Sequence, residues 1–593
     1  MWRRAALPYL IVPLMIVSCA AAPDLQSSPK SSPAPAVHYP TPKAYYYFLL
    51  GSLAELSHSS SQALPNYEAA LREDPDSHYL RVRLGSLYFK AGKMSAALKT
   101  IDSLSRADVQ QVSTLLQLAR IYAGAGQQEK ALVAYEQAIV LDPQVPKIHF
   151  SKGILLFNMK RFQEARAALE RGNALKSNSH VGYYYLGKTF HQLGEIDQAT
   201  FHFEKTLDIS PRFAPAYQAF ANMLEKQHNT SGAVEILERY LQVNPHKKNF
   251  RQEVVRLHLA QGSYQQALDA LEALVVDEPS DLNAQVRIAL VHGEMGDHGK
   301  AIDQLLSILD KRPGEVRVRD YLGLMYEEKQ DFDPAIQAYH ENIDREPTFY
   351  DSRVHLGYLL YRLKRHDDAI PHLTEAVNLN PGSPEPHVLL GLAYLQSDQH
   401  LLALSAFELG IDLHPNNSDL RFNLGAAYDK VNRFSDVVRE MEKVLSLEPN
   451  HTDALNYLGY SYADRGINMD QAVELTQRAV SLKPENGYYV DSFGWALFKV
   501  GRIEEALNEI ERALELVQDD PVIYEHLGEI YFSRDNRKKA QKAWSRSLEL
   551  DPKNTKLQKR FKEEGFGSSV LSPGKASSQP QVSHYFPADL HVP

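Results

Sequence analysis

The sequence predicts an all-α solenoid of about fifteen stacked helix–turn–helix repeats, and three registers of single residues predict it. Proline stands at 75, 143, 211, 245, 279, 313, 347, 381, 415 and 449, always 34 or 68 residues apart, then at 484 and 552. Val109, Ser177 and Gln518 take the place of proline without disturbing the count. Glycine holds the eighth position of eleven units, from Gly51, Gly85 and Gly153 to Gly494 and Gly528, while Ala119, Ala221, Val255 and Ala289 replace it in the other four. Twelve residues further on stands alanine, from Ala63 to Ala540, with Val437 the one exception in fifteen units. A period of this length is the mark of stacked supersecondary units. Glycine inside a helix costs about 1 kcal/mol against alanine, so its register implies a close approach of two helix backbones, with the alanine as the matching small residue. Leu186, Phe203, Tyr326, Phe407 and Tyr428 recur at helical spacing and fill the space around that contact. The proline is expected to stop the second helix of each unit.

Ahead of the repeats, Met1-Trp2-Arg3-Arg4 forms a short basic stretch, followed by an apolar run from Ala5 to Val17 broken by Pro8 and Pro13. That run is too short for a stable membrane span and has the length and flanks of a secretory leader, expected over residues 1–18. Cys19, the single cysteine of 593 residues, follows. It can form no internal disulfide and no cysteine-based zinc site. Residues 19–42, rich in proline and serine, read as a tether. At about 3.1 Å per residue it reaches roughly 60–70 Å.

After the repeats, Thr555–Gly565 reads as a polar capping helix and residues 566–593 as a disordered tail. One unit carries an extra residue in its turn, "ADRGINMD" between Gly459 and Ala472, which lengthens the proline step to 35.

The composition points away from nucleic acid: the net charge is −10, with no basic excess. The 23 histidines are scattered, without an HExxH, and His366 and His372 fall on different helical faces. "GAGQQE" at 124–129 sits at an inter-helix turn and lacks the Gly-Lys-Ser/Thr of a phosphate loop. Leader, tether, repeats and tail leave no stretch for a catalytic domain, and no nucleophile–base signature appears. No enzyme, metal or cofactor is expected.

The 34-residue pattern, with small residues at positions 8 and 20 and proline at 32, resembles the tetratricopeptide repeat over units from Ala44 to Pro552, nearly 90% of the chain. That resemblance implies a right-handed superhelix whose concave groove is lined by positions 2, 5, 9, 12 and 13 of each first helix. The resemblance further implies that this groove binds other proteins or peptides. Carried onto this sequence, those positions and their neighbours give Tyr358, Tyr361, Arg362, Phe422, Lys430, Asn456, Tyr460, Asp464, Asp491, Trp495 and Phe498 as the candidate peptide groove. Aromatic anchors among polar groups suit such a surface, because binding energy concentrates on a few buried rings. The carboxylate clamp of chaperone-tail binders is not reproduced: the sixth unit offers Gln218 and Asn222 without the lysines.

Ile16-Val17-Ser18-Cys19 resembles the bacterial lipobox, and Leu455–Leu507 resembles a stretch of long repeat-containing lipoproteins of proteobacteria. The first resemblance implies a diacylglycerol on the Cys19 thiol, often with an N-acyl chain on the new amino terminus. Two or three chains anchor a protein where one does not. Ala20 and Ala21, in place of an aspartate, imply the outer membrane, with the chain facing the periplasm. The expected role is a scaffold that docks partners in envelope assembly or export: exopolysaccharide, pilus or outer-membrane machinery. The alternative is a soluble cytoplasmic adaptor or co-chaperone in which Cys19 is incidental, and a weaker third reading is an enzyme accessory.

Overall fold

In the computed structural model the described residues are 40–57, 60–102, 104, 109 and 111–566, and Cys19 with the expected leader, most of the tether and most of the tail lies outside them. Thirty-one α-helices and no strands are found among the described residues. Thirty of them form fifteen antiparallel pairs, numbered here as repeats 1–15, and the last, Thr555–Glu563, follows repeat 15. The chain divides between Lys247 and Lys248 into two compact units, holding repeats 1–6 and repeats 7–15. The fold class is therefore all-α, a helix-pair solenoid within each unit.

The sequence dictates each pair closely. First helices mostly run 13 residues and second helices 14, as in Pro146–Asn158 and Phe162–Leu175 of repeat 4. The shortest is the second helix of repeat 2, Met94–Ile101. All fourteen alanines of the register, together with Val437, are fully buried. A branched or polar side chain at those sites would drive the paired helices apart.

The glycine register has a different cause from the one expected. A Cβ built on each of the eleven glycines meets first a side chain from the second helix, not a backbone. The partner is sixteen residues on: Tyr67 over Gly51, Leu169 over Gly153, Phe203 over Gly187, Phe407 over Gly391, Trp544 over Gly528, at 2.2–2.9 Å. In repeat 13 the inserted residue moves the partner to Thr476, seventeen on. Glycine there makes room for a bulky side chain, and backbone approach is secondary, as with the Ala165 carbonyl 3.3 Å from the added Cβ at Gly153.

Proline does not set the helix end either. Repeats 2, 4 and 14 lack it; the second helix of repeat 2 ends early, at Ile101, but those of repeats 4 and 14 end at Leu175 and Leu516, in register with Ile209 and Leu482 of proline-bearing repeats. Lys176 (φ −145°, ψ 90°), before Ser177, caps the end at Leu175 in the same extended conformation as Asp142 (φ −148°, ψ 98°), which stands before Pro143 at the end of repeat 3. The proline ring favours that conformation in the residue before it but is not required for it.

Each turn between paired helices in repeats 2–15 contains one left-handed residue at position 15. Seven are glycines, among them Gly126 in the "GAGQQE" turn, and seven are not, among them Lys160, Lys364 and Asn432. In repeat 13 the extra residue lies in the turn, where Asn468 (φ 47°) becomes a second left-handed position after Gly466. The closing helix buries Leu557 and Phe561, and Phe566, assigned from sequence to the tail, is buried with them against Trp544 (ring centroids 5.9 Å). The folded part thus extends past Gly565.

Candidate protein-binding face

The candidate residues all lie on first helices of repeats 10 and 12–14, where the 3.6-residue periodicity places positions 5, 9 and 12 on neighbouring turns. The structure divides them by exposure. Arg362, Lys430 and Asp464 are exposed; Tyr358, Tyr361, Tyr460 and Phe498 are half-buried; Phe422, Asn456, Asp491 and Trp495 are buried between helices.

In repeat 10 the Arg362 guanidinium lies 5.6 Å from the Tyr358 ring centroid and 3.6 Å from the Glu327 carboxylate of repeat 9. Tyr339 donates its hydroxyl to Glu327 at 2.6 Å. Burial raises the Glu327 carboxyl above its ordinary value, against the hydrogen bond from Tyr339 and the charges of His355 and Arg362. Tyr361 rests against His366 at 5.2 Å, and burial raises its phenol. Beneath these rings Asp320 accepts a hydrogen bond from Ser352 and faces Nδ1 of His355 at 3.2 Å. Burial disfavours the imidazolium of His355, but the bond to Asp320 and the charges of Asp320, Glu327 and Asp351 together outweigh it and the net shift is upward. The aspartate sits between serine and histidine, so the imidazole is bonded to the carboxylate and not to the serine hydroxyl, and the trio lacks the serine–histidine–acid order of a nucleophilic triad.

In repeats 13–15 the structure brings Tyr460, Asp491, Trp495 and Phe498 together around His526, a residue the sequence reading did not single out. Trp495 stacks on His526 at 4.0 Å and on Phe498 at 5.2 Å, and Tyr460 approaches His526 at 6.2 Å. Nδ1 of His526 lies 2.8 Å from Asp491, both side chains being about 5% exposed. Burial again opposes the charged imidazole, and the Asp491 carboxylate, with Glu525 and Asp464 beyond it, carries it above the ordinary value. Lys499 covers the Trp495 ring at 5.0 Å and donates to the Asp464 carbonyl at 3.3 Å. The signal for His526 was present in the sequence: an aspartate at position 5 followed by a histidine at position 6 of the next repeat, as in Asp320 and His355.

Phe422 stacks on His451 at 5.4 Å and meets Tyr457 at 6.0 Å, while Lys430 reaches solvent at the end of the same helix. The carbonyl oxygen of buried Asn456 and the indole nitrogen of Trp495 make no hydrogen bond. A hollow of about 550 Å³ lies among Lys483, Pro484, Glu485, Asn486, Gly487, Tyr488 and Val517, and none of the candidate residues lines it. Among the described residues no group of His, Cys, Asp or Glu is arranged to hold a metal, and no helix is long and apolar enough to cross a membrane. In the sixth repeat Gln218 donates to Asn222 at 3.1 Å, so the two polar groups there satisfy one another.

A solenoid of helix pairs with aromatic and charged side chains along its first helices is a protein-interaction architecture. Comparison with known families agrees: residues 59–121, 253–316 and 322–384 match tetratricopeptide repeat families, and residues 119–160 match a TPR repeat family. The chain contains tetratricopeptide repeats, which mediate protein–protein interaction. Over 103 residues, 17% of its length, it is 32% identical to DnaJ homolog subfamily C member 7 of Homo sapiens and of Mus musculus, and it spans about a fifth of the length of these curated relatives. Solved structures similar to it include the APC/C hetero-tetramer Cut9–Hcn1 (14% identity, 90% of this chain and 97% of that one, TM-score 0.31) and yeast Tom70 (15%, 72% and 98%, 0.32). A tetratricopeptide repeat protein from Parabacteroides merdae is another (17%, 42% and 98%, 0.33).

Proposed function

We propose that this chain is a membrane-anchored scaffold that docks protein partners during assembly or export at a bacterial envelope. It works by binding rather than by catalysis. The observation that carries the binding half is the first-helix face of repeats 10 to 14. Tyr358, Tyr361, Tyr460 and Phe498 stand half-exposed there, beside exposed Arg362, Lys430 and Asp464. Rings of this kind present large rigid surface at low entropic cost, and the charges beside them fix the register of an extended or helical segment. Phe422, Asn456, Asp491 and Trp495 support that face from beneath. The anchoring half rests on Ile16-Val17-Ser18-Cys19, with a diacylglycerol and N-acyl lipid on Cys19 and the chain facing the periplasm from the outer membrane.

The test is metabolic labelling with alkyne palmitate of cells expressing the wild type or Cys19→Ser, followed by membrane fractionation. Label on the wild type alone, in the outer-membrane fraction, is the expected result. Absence of label with the protein recovered in the cytoplasm would overturn the anchor and leave a soluble adaptor.

A further inference from the structure

The two ends of the repeat array are finished differently. The closing helix Thr555–Glu563 turns Leu557 and Phe561 inward and presents Lys556, Lys559, Arg560, Lys562 and Glu563 to solvent. This is the polar outer face that a terminal repeat needs for solubility. The opening helix, Pro42–Leu56, has no such face. Tyr45, Tyr46, Leu49, Leu53 and Leu56 are all exposed, with Leu53 at 61% and Leu56 at 78%.

Register shows what these side chains lack. Tyr46 is position 3 and Leu53 position 10 of repeat 1. In repeat 2 the same positions are Leu80 and Leu87, both buried against Ala54, Tyr67 and Ala70 of repeat 1. In repeats 3 to 6 position 10 is Ile121, Leu155, Thr189 and Met223, again all buried. In repeats 2 to 6 position 10 is thus buried where a preceding repeat packs against it. On the opening helix no described residue covers it.

We propose that this face is a homodimer interface, in which the opening helices of two copies pack antiparallel across a two-fold axis. The missing cover is helical in shape, and a second opening helix supplies an apolar stripe of the same length. No charged residue lies on the stripe, so self-association opposes no like charges at its centre. In the antiparallel arrangement the exposed Lys43 of one copy comes to the carbonyl end of the partner's helix, where a cation is favoured. The exposed part of the stripe offers on the order of 600 Å² per copy, or about 1,200 Å² for the pair, the lower end of stable specific interfaces. The charged closing helix cannot stand in for the missing apolar partner, so the contact closes as a pair and does not propagate as a filament. This inference does not depend on the anchor at Cys19.

The experiment is sedimentation velocity of the full chain carrying Cys19→Ser, which removes disulfide exchange and acyl association, across the micromolar range. The expected result is a reversible monomer–dimer equilibrium. Leu53→Glu and Tyr46→Glu should each weaken it at least tenfold, with circular dichroism unchanged, while Val276→Glu, exposed on the second helix of repeat 7, leaves it intact. A monomer at every concentration, a dimer indifferent to both stripe variants, or growth beyond two copies would overturn the proposal. So would a monomer that binds phosphatidylglycerol vesicles and loses them with Leu53→Glu, which would assign the stripe to a lipid surface.

Discussion

Repeats 6 to 8 and repeats 9 to 15 meet one packing problem from opposite sides. In repeats 9 to 15 the first helix withdraws to glycine at position 8, and in all but one a large side chain lies over it, from Tyr339 and Phe407 to Ile510 and Trp544; repeat 13 has Thr476 there. In repeats 6 to 8 the first helix carries Ala221, Val255 and Ala289, and the residue sixteen on is leucine each time: Leu237, Leu271 and Leu305, all fully buried. The difference teaches that the fold constrains the joint volume of the pair more than it demands glycine. Ala119 with Tyr135 in repeat 3 marks the upper edge of what the pair accommodates.

The sharpest way to break this comparison is to add one carbon where the partner is rigid. A Cβ at Gly528 stands 2.2 Å from the Trp544 ring, which has no flexible end to swing aside. Overpacking costs about 1–3 kcal/mol, towards the upper end against so rigid a ring, and alanine's better helix propensity returns roughly 1 kcal/mol of it. Gly528→Ala should therefore speed hydrogen exchange over residues 521–550 by at least tenfold. Adding Trp544→Leu to it, which recreates the pairing of repeats 6 to 8, should recover more stability than the sum of the single variants predicts. Gly425→Ala, whose new carbon meets the mobile methyl end of Met441 at 2.7 Å, should cost under about 1 kcal/mol. Additive behaviour at 528 and 544, or a neutral Gly528→Ala, would refute the shared-volume account.

The paired helices and their register were legible in the sequence because every repeat states them again in the same small residues. Burial of the candidate face was less so. Whether a ring at position 5 or 9 is free depends on the side chain about 30 residues later that packs over it. Phe422 lies under His451, and Trp495 under His526. A pattern read within one repeat cannot contain that information; it appears only when a first helix is compared with the start of the next one. The same holds for the glycines, whose need was plain while its source, a side chain on the paired helix, required the partner's identity.

The pairing of position 5 with position 6 makes a prediction of intermediate size. His526 binds its proton more tightly in the folded chain than in the unfolded one, because Asp491 holds the imidazolium at 2.8 Å. A proton held more tightly when folded adds stability that is complete below the unfolded value of about 6.5 and is lost as pH rises through the folded value. Each tenfold in proton affinity is worth about 1.4 kcal/mol. The other ionisable groups facing the pair are Asp464, Glu525 and Glu529, and Glu529 is raised by burial, so its own loss begins in the carboxylate range, below this window. Urea unfolding followed by Trp495 fluorescence should thus show repeats 14 and 15 weakening as pH rises above about 6.5. Asp491→Asn should flatten that slope, and a slope unchanged by the variant would remove the pair as its source.

The smallest expected effect lies in the turns, where the repeats differ in a way packing does not explain. Position 15 is left-handed in repeats 2 to 15 whether or not it is glycine, so the turn is imposed by the helix pair and not chosen by the residue. A lysine there carries roughly 1 kcal/mol of steric strain that glycine does not, partly offset by the extra chain entropy glycine loses on folding. Lys364→Gly should therefore stabilise repeat 10 by about 0.5 kcal/mol, and Gly262→Ala should destabilise repeat 7 by about 1 kcal/mol. Asn432→Gly should gain less than Lys364→Gly, because asparagine tolerates the left-handed region. Hydrogen exchange of the flanking helices reads all three. If Lys364→Gly proves destabilising, the lysine stem is contributing packing across the turn that outweighs its backbone strain, and the two kinds of turn are equivalent for a reason other than geometry.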